Sequence, residues 1–90
     1  MAEIFAELLT TYEKKNSDYG NSFEDLMDEM GLISGVSQIV HKTNRAKTLV
    51  LKGEQCVKDE SLEETLKDLI NYAAMTVKKI REQEEVNAND

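Results

Sequence analysis

Apolar residues recur along this chain at intervals of three and four, the period of an amphipathic helix rather than the alternation of a strand. Ile4, Phe5, Leu8, Leu9 and Tyr12 predict a first helix over residues 3–15. Lys14 and Lys15 would then sit in its last turn, where cations suit the helix dipole. Residues 16–21 are dense in turn formers and include Gly20, so a turn is expected there. Ser22 with Asp25 three positions on reads as a short capping box. It opens a second helix carrying Phe23, Leu26, Met27 and Met30, which Gly31 closes as a left-handed cap. Ile33, Val36, Ile39, Val40, Thr43, Ala46 and Val50 share one arc of a third helix over 32–52. Gly35 lies inside that pattern and leaves a break at 31–35 open. Gly53 ends the segment, and 54–58 reads as a loop. Asp59 or Ser61 starts the fourth helix, Ser61 with Glu64 as a full capping box. Leu62, Leu66, Leu69, Ile70, Ala73, Val77 and Ile80 give it an apolar stripe to about residue 82. The pattern predicts an all-α fold, a small antiparallel bundle of about four helices. One domain over 1–83 is expected, with a polar, disordered tail at 84–90.

Size and composition narrow this picture. Ninety residues bury only about 60–70% of their unfolded surface, so either a compact bundle or a homo-oligomer covering a further helix face is expected. The chain has no Pro, no Trp and four Gly, which suits helix throughout. Its single cysteine, Cys56, excludes a disulfide framework and a cysteine-rich zinc site and fits a reducing cytoplasm. No run reaches the roughly 20 apolar residues of a membrane span. Glu3 and Glu7 stand where a signal peptide needs a basic start. Acidic residues outnumber Lys and Arg by 18 to 11, giving a net charge of −7. That balance argues against binding to duplex DNA, which requires cationic surface to displace counterions.

Charge is nevertheless unevenly placed. Between Leu32 and Gly53 the chain carries Lys42, Arg45, Lys47 and Lys52 and no acid. On a helical wheel His41, Arg45 and Lys52 fall within about 40°, flanked by Gln38 and Lys42, roughly opposite the apolar arc. In the fourth segment Glu60, Glu64, Asp68 and Asn71 fall within about 80°, with Met75 and Tyr72 beside them. Arg offers phosphate a fork of donors and Lys a compact charge. Carboxylates one turn apart can hold Mg²⁺, which bridges substrate phosphates. Two such faces turned together would form a metal–nucleotide cleft. A solvated amphipathic helix shows the same opposition of faces, so periodicity alone does not separate the two readings. The segregation of charge by sign, and the apolar neighbours Met75 and Tyr72, point to a covered face. His41 offers a general base or a phosphate ligand, although on a polar helix face a histidine is more often a surface residue. Ser22 and Ser61 read as caps, Cys56 as incidental, and the methionines as core filler.

One stretch is distinctive. Lys15-Asn16-Ser17-Asp18-Tyr19-Gly20-Asn21-Ser22-Phe23, the Lys42/Arg45 pair with Asn44 between, and the run from Asp59 to Ala73 together resemble the nucleotide modification associated domain 1 family. That family is an all-helical domain of phages and bacteria. The resemblance spans about residues 11–80. It implies a role in nucleotide metabolism or DNA-base modification and a phage-type protein of the host cytoplasm. Carried onto this chain, it implies a nucleotide site of Lys15, Asn16, Asp18, Tyr19, His41, Lys42, Arg45, Asn71 and Tyr72, with Tyr19 stacking on the base. Glu60, Glu64 and Asp68 would hold Mg²⁺. A more distant resemblance is to MazG-type all-helical nucleoside triphosphate pyrophosphatases, which bind Mg²⁺ through two acidic helix motifs. Thr65-Leu66-Lys67-Asp68 stands at the second motif with Thr for its first acid. Glu24, Asp25, Asp28 and Glu29 stand near the first, at altered spacing. Any hydrolysis would be metal-assisted attack of water on a phosphoanhydride.

Three functions follow as expectations. The first is a domain that binds a nucleoside phosphate between the third and fourth helices. The second is a non-enzymatic counter-defence protein that sequesters a signalling nucleotide, or blocks a host nucleic-acid-binding protein through its acidic surface. The third is a structural oligomer in which the opposed charges pair between subunits.

Overall fold

The computed structural model of the chain describes residues 1–53 and 61–89, with the side chains of all but Tyr19 and Asn89. Among the described residues there are four helices and no strand: α1 Ala2–Tyr19, α2 Ser22–Met30, α3 Leu32–Lys52 and α4 Leu62–Asn89. Asp59, the alternative cap of α4, and Cys56 lie outside the described residues.

Glycine geometry sets three of the helix ends. Gly20, Gly31 and Gly53 have φ of 71°, 88° and 88° with extended ψ, a region almost closed to side chains bearing a Cβ. Each donates its N–H to the carbonyl four residues back, at 2.9 Å. Stopped only by Gly20, α1 runs through Asn16, Asp18 and Tyr19, which the turn-former composition had placed in a loop. The turn is just Gly20–Asn21, and Lys14 and Lys15 lie before the last turn of α1. Ser22 is the first residue of α2 rather than its cap; Asn21 takes the cap position, without a side-chain cap hydrogen bond. At α4 the expected cap forms, with the Glu64 N–H donating to Ser61 Oγ at 3.1 Å. α4 then continues about two turns past residue 82, carrying helix into the expected tail.

α3 is unbroken at Gly35, for a packing reason. Gly35 is buried where α3 meets both α2 and α4. A Cβ there would lie 2.7 Å from Met27 Sδ and 2.7 Å from Thr76 Oγ1. α3 and α4 run antiparallel, since Gly35 faces Thr76 while Lys42 reaches Asp68. α1 crosses α4, where Asn71 Nδ2 donates to the Leu8 carbonyl at 3.2 Å.

Little of the inner surface is apolar. Among the described residues the buried hydrophobic side chains are Leu8, Met27 and Leu49, and Glu24, Thr65, Thr76 and Lys79 are buried beside them. The hydroxyls of Thr65 and Thr76 donate to carbonyls one turn back, so their burial leaves no polar atom unpaired. Most of the apolar arc of α3 does not enter the core: Ile33, Val36 and Val40 are 67%, 43% and 53% exposed. The stripe of α4 is likewise largely open at Leu66, Ile70, Val77 and Ile80.

Ion pairs fasten α2 to α4 instead. Lys78 Nζ donates to both oxygens of Glu24, at 3.1 and 3.3 Å, and the Tyr12 hydroxyl donates to the same carboxylate at 3.2 Å. Lys79 Nζ, almost fully covered, donates to Asp28 at 2.8 Å and pairs with Glu82 at 3.2 Å. The hydrogen bond to Asp28 raises the Lys79 ammonium above its ordinary 10.5, and the one to Glu24 does the same for Lys78.

Two predictions follow. Gly35→Ala gains about 1 kcal/mol of helix propensity. It also forces a methyl into a packed crossing, which costs about 1–3 kcal/mol and more where neighbours cannot move. Met27 is buried and Thr76 is tethered, so the steric cost wins, and chemical denaturation should show a lower unfolding free energy. Because the folded-state lysines titrate above their unfolded value, their stabilisation is complete below pH 10.5 and is lost as pH rises through the raised values. Melting temperature should therefore fall on the alkaline side of pH 10.5, and Lys78→Met/Lys79→Met should flatten that part of the profile.

Candidate functional site

A hollow of about 190 Å³ lies where the C-terminal turn of α1, the first turn of α2 and the middle of α4 meet. Its position follows from the glycine stop at Gly20. The chain turns sharply there, and α2 starts beside the helix it has just left, with Phe23 brought against α4. The Phe23 and Tyr72 rings sit 4.7 Å apart, tilted by 39°, both half-buried on the wall of the hollow. Such a tilted pair suits the quadrupoles of the two rings and leaves apolar ring surface available to a third planar group.

The polar side of the hollow is built around Asp68. Lys15 from α1 reaches its Oδ1 at 3.0 Å, and Lys42 from α3 reaches its Oδ2 at 3.1 Å. The carboxylate is therefore clamped between two ammonium groups from two other helices. The Lys15 side chain remains 55% exposed, against 13% for Lys42 and 17% for Asp68. Glu24 lies deeper in the wall, tied to Tyr12 and Lys78 as described.

Five of the expected residues meet here: Lys15, Asn16, Asp68, Asn71 and Tyr72 all line the hollow. Lys42 joins them through its bond to Asp68. The cationic side of α3 and the acidic side of α4 touch at that contact. Arg45 and His41 of α3 are not among the residues that line the hollow. His41 is exposed and Arg45 half-buried on α3. Asp18 is exposed on the last turn of α1. Tyr19 ends that helix, and its expected stacking role falls outside the described side chains, as Glu60 falls outside the described residues. Of the opposed charges, Lys42 and Asp68 pair within one chain.

The carboxylates assigned to Mg²⁺ do not assemble among the described residues. Glu64 is exposed a turn away from Asp68, and no three acidic, imidazole or thiol groups converge on a common point. Lysines occupy the acids instead: Lys15 and Lys42 hold Asp68, Lys78 holds Glu24, and Lys79 holds Asp28. Of the acids that stand near the two pyrophosphatase motifs, Glu24, Asp28 and Asp68 are thus each paired with an ammonium group. Among the described residues, Glu64 and Asp68 do not by themselves turn several oxygens to one centre, as a hard divalent cation requires.

Tyr12, Phe23 and Glu24 also line the hollow, outside the expected nucleotide and metal residues. Phe23 was legible, as the last residue of the distinctive block at 15–23. Tyr12 read as an apolar-face residue and Glu24 as an acid near the first pyrophosphatase motif, and their pairing depends on how α1 and α2 are placed together. Among the described residues no helix is long and apolar enough to cross a membrane.

The chain matches no curated protein and no solved structure significantly. A family model described as nucleotide modification associated domain 1 matches residues 15–85. The match takes in every described residue that lines the hollow except Tyr12. With most of its length inside that match, the chain belongs to the nucleotide modification associated domain 1 family.

Proposed function

We propose that this protein binds a nucleoside phosphate at the hollow between α1, α2 and α4. One observation carries the reading: lysines from the first and second distinctive blocks, Lys15 and Lys42, converge on Asp68 of the third, beside a pair of aromatic rings. A base would pack on Phe23 and Tyr72, where ring faces give about 1–3 kcal/mol per stacked base. At about 190 Å³ the hollow is smaller than the roughly 300–1,000 Å³ of pockets that enclose a whole ligand. It suits a single ring system, with the phosphates lying at the rim beside the exposed Lys15. Lys15 would turn from Asp68 to the phosphate, while Lys42 keeps the carboxylate neutralised. The family name, which associates the domain with nucleotide modification, agrees with this chemistry. The proposal is one of binding, and no metal is needed for it.

A thermal-shift screen of nucleosides, nucleoside monophosphates and nucleoside triphosphates tests it, because a ligand of the native state must raise its melting temperature. Phosphorylated compounds should stabilise the protein more than free nucleosides. By calorimetry Lys15→Ala should weaken binding about 10- to 100-fold, the loss of one charge-assisted hydrogen bond. Tyr72→Ala should weaken it to a similar degree, and Arg45→Ala, outside the hollow, should leave it unchanged. No stabilisation by any phosphorylated nucleoside, or full affinity in Lys15→Ala, would reject the proposal.

A further inference from the structure

The apolar arcs left open on α3 and α4 belong to one surface. Along α3, the exposed residues Val36, Val40, Val50 and Ile33 lie about 60–160° of rotation ahead of Gly35, the contact with α4. Along α4, the exposed residues Leu66, Ile70, Val77 and Ile80 lie about 40–120° ahead of Thr76, the contact with α3. Because the two helices are antiparallel, equal rotations ahead of the contact line turn toward the same side of the pair. The result is one apolar face, on the side of the α3–α4 pair away from the Lys42–Asp68 and Lys79–Asp28 contacts and bordered at Ile70 by Phe5, Leu8 and Leu9 of α1. It is nearly free of charge: within those arcs Lys47 is the charged residue on α3, and α4 carries none from Leu62 to Ile80. In a chain of net charge −7 such a strip is distinctive.

Area indicates what covers it. The chain exposes 6629 Å². A compact monomer of 10.2 kDa exposes about 5,300 Å², so the excess is about 1,300 Å². A standard interface buries about 800 Å² on each partner. The excess over the whole chain is larger than one partner's share of a protein–protein interface, and the three buried hydrophobic side chains among the described residues make a poor core without one. We infer that this face is the contact surface for a second copy of the same chain, packed symmetrically through α3 and α4. A symmetric pair turns the same strip inward on both copies, so neither is left with open apolar surface, and the hollow beside α1 stays free on each. The inference is independent of what the hollow binds.

Sedimentation equilibrium on the full chain tests it. The wild type should sediment at twice 10.2 kDa, and its melting temperature should rise with protein concentration. Val40→Glu/Val77→Glu places four carboxylates in the contact and should halve the mass, with a melting temperature that no longer depends on concentration. Should that variant lose its helical circular dichroism, the wild type decides alone: a mass of twice 10.2 kDa supports the pairing, and a mass of 10.2 kDa at every concentration overturns it. A wild type that stays at 10.2 kDa at every concentration overturns the inference. So does a double variant that keeps the wild-type mass, or an increase in mass that appears only with a different protein.

Discussion

One carboxylate, Asp68, joins three helices. Its two oxygens are taken by ammonium groups from α1 and α3, and it stands on α4 itself. The two bonds are not equivalent. An exposed ion pair contributes about 0–1 kcal/mol, because water screens it and two long side chains must be held still. A buried pair that loses one partner costs about 3–5 kcal/mol, because the charge left behind is stranded away from water. Lys42 at 13% exposure lies near the second limit, and Lys15 at 55% lies near the first. Lys42 is therefore the structural member of the pair, and Lys15 the one whose partner can change at small cost.

The rest of the architecture answers the same constraint. With few buried hydrophobic side chains, the helices are registered by polar contacts that have to find partners: Lys78 and Tyr12 on Glu24, Lys79 on Asp28, and Asn71 on the Leu8 carbonyl. Among the described residues no buried side-chain nitrogen or oxygen lacks a hydrogen bond. Such contacts are directional, so they specify how α1 and α2 sit on α4 more sharply than a sparse apolar core could. They also occupy one side of α4, which turns much of the apolar stripes of α3 and α4 outward. Polar specification of the hairpin on one side and open apolar surface on the other are thus two results of one arrangement.

That arrangement marks the limit of what could be read from the chain. Helix number, order and approximate ends followed from periodicity, and the α4 cap from Ser61 and Glu64. Where local signals failed, a long-range contact decided. Residues 16–19 have turn-former composition, but α1 persists until Gly20, a residue that can take the required φ. Gly35 looked like a helix breaker because propensity carries no information about Met27 and Thr76, which need the space. The opposition of Lys42 to Asp68 was visible as two faces of opposite charge. Which side of α4 would hold the hollow was not, since a helical wheel locates residues on one helix and says nothing of where a third helix crosses. Arg45 and His41 share the wheel sector of Lys42 but are not among the residues that line the hollow. The lysines on Glu24 and Asp28 were hidden for the same reason: they lie more than fifty residues away in sequence.

The paired acids also bear on how an anion could enter so acidic a protein. A phosphate approaching an uncompensated Asp68 and Glu24 would meet two like charges in a partly enclosed site, where water screens them weakly. With Lys42 on Asp68 and Lys78 on Glu24, each carboxylate is offset before any ligand arrives. Lys15 then adds a positive charge at the mouth, facing solvent. Moving its ammonium from a solvated carboxylate to phosphate gives up an exposed pair of about 0–1 kcal/mol and gains a charge-assisted hydrogen bond of about 1.5–3 kcal/mol. The balance favours the exchange for Lys15. It does not for Lys42, whose departure would strand Asp68 inside the bundle. A chain of net charge −7 can in this way hold a local site for an anion without a basic surface.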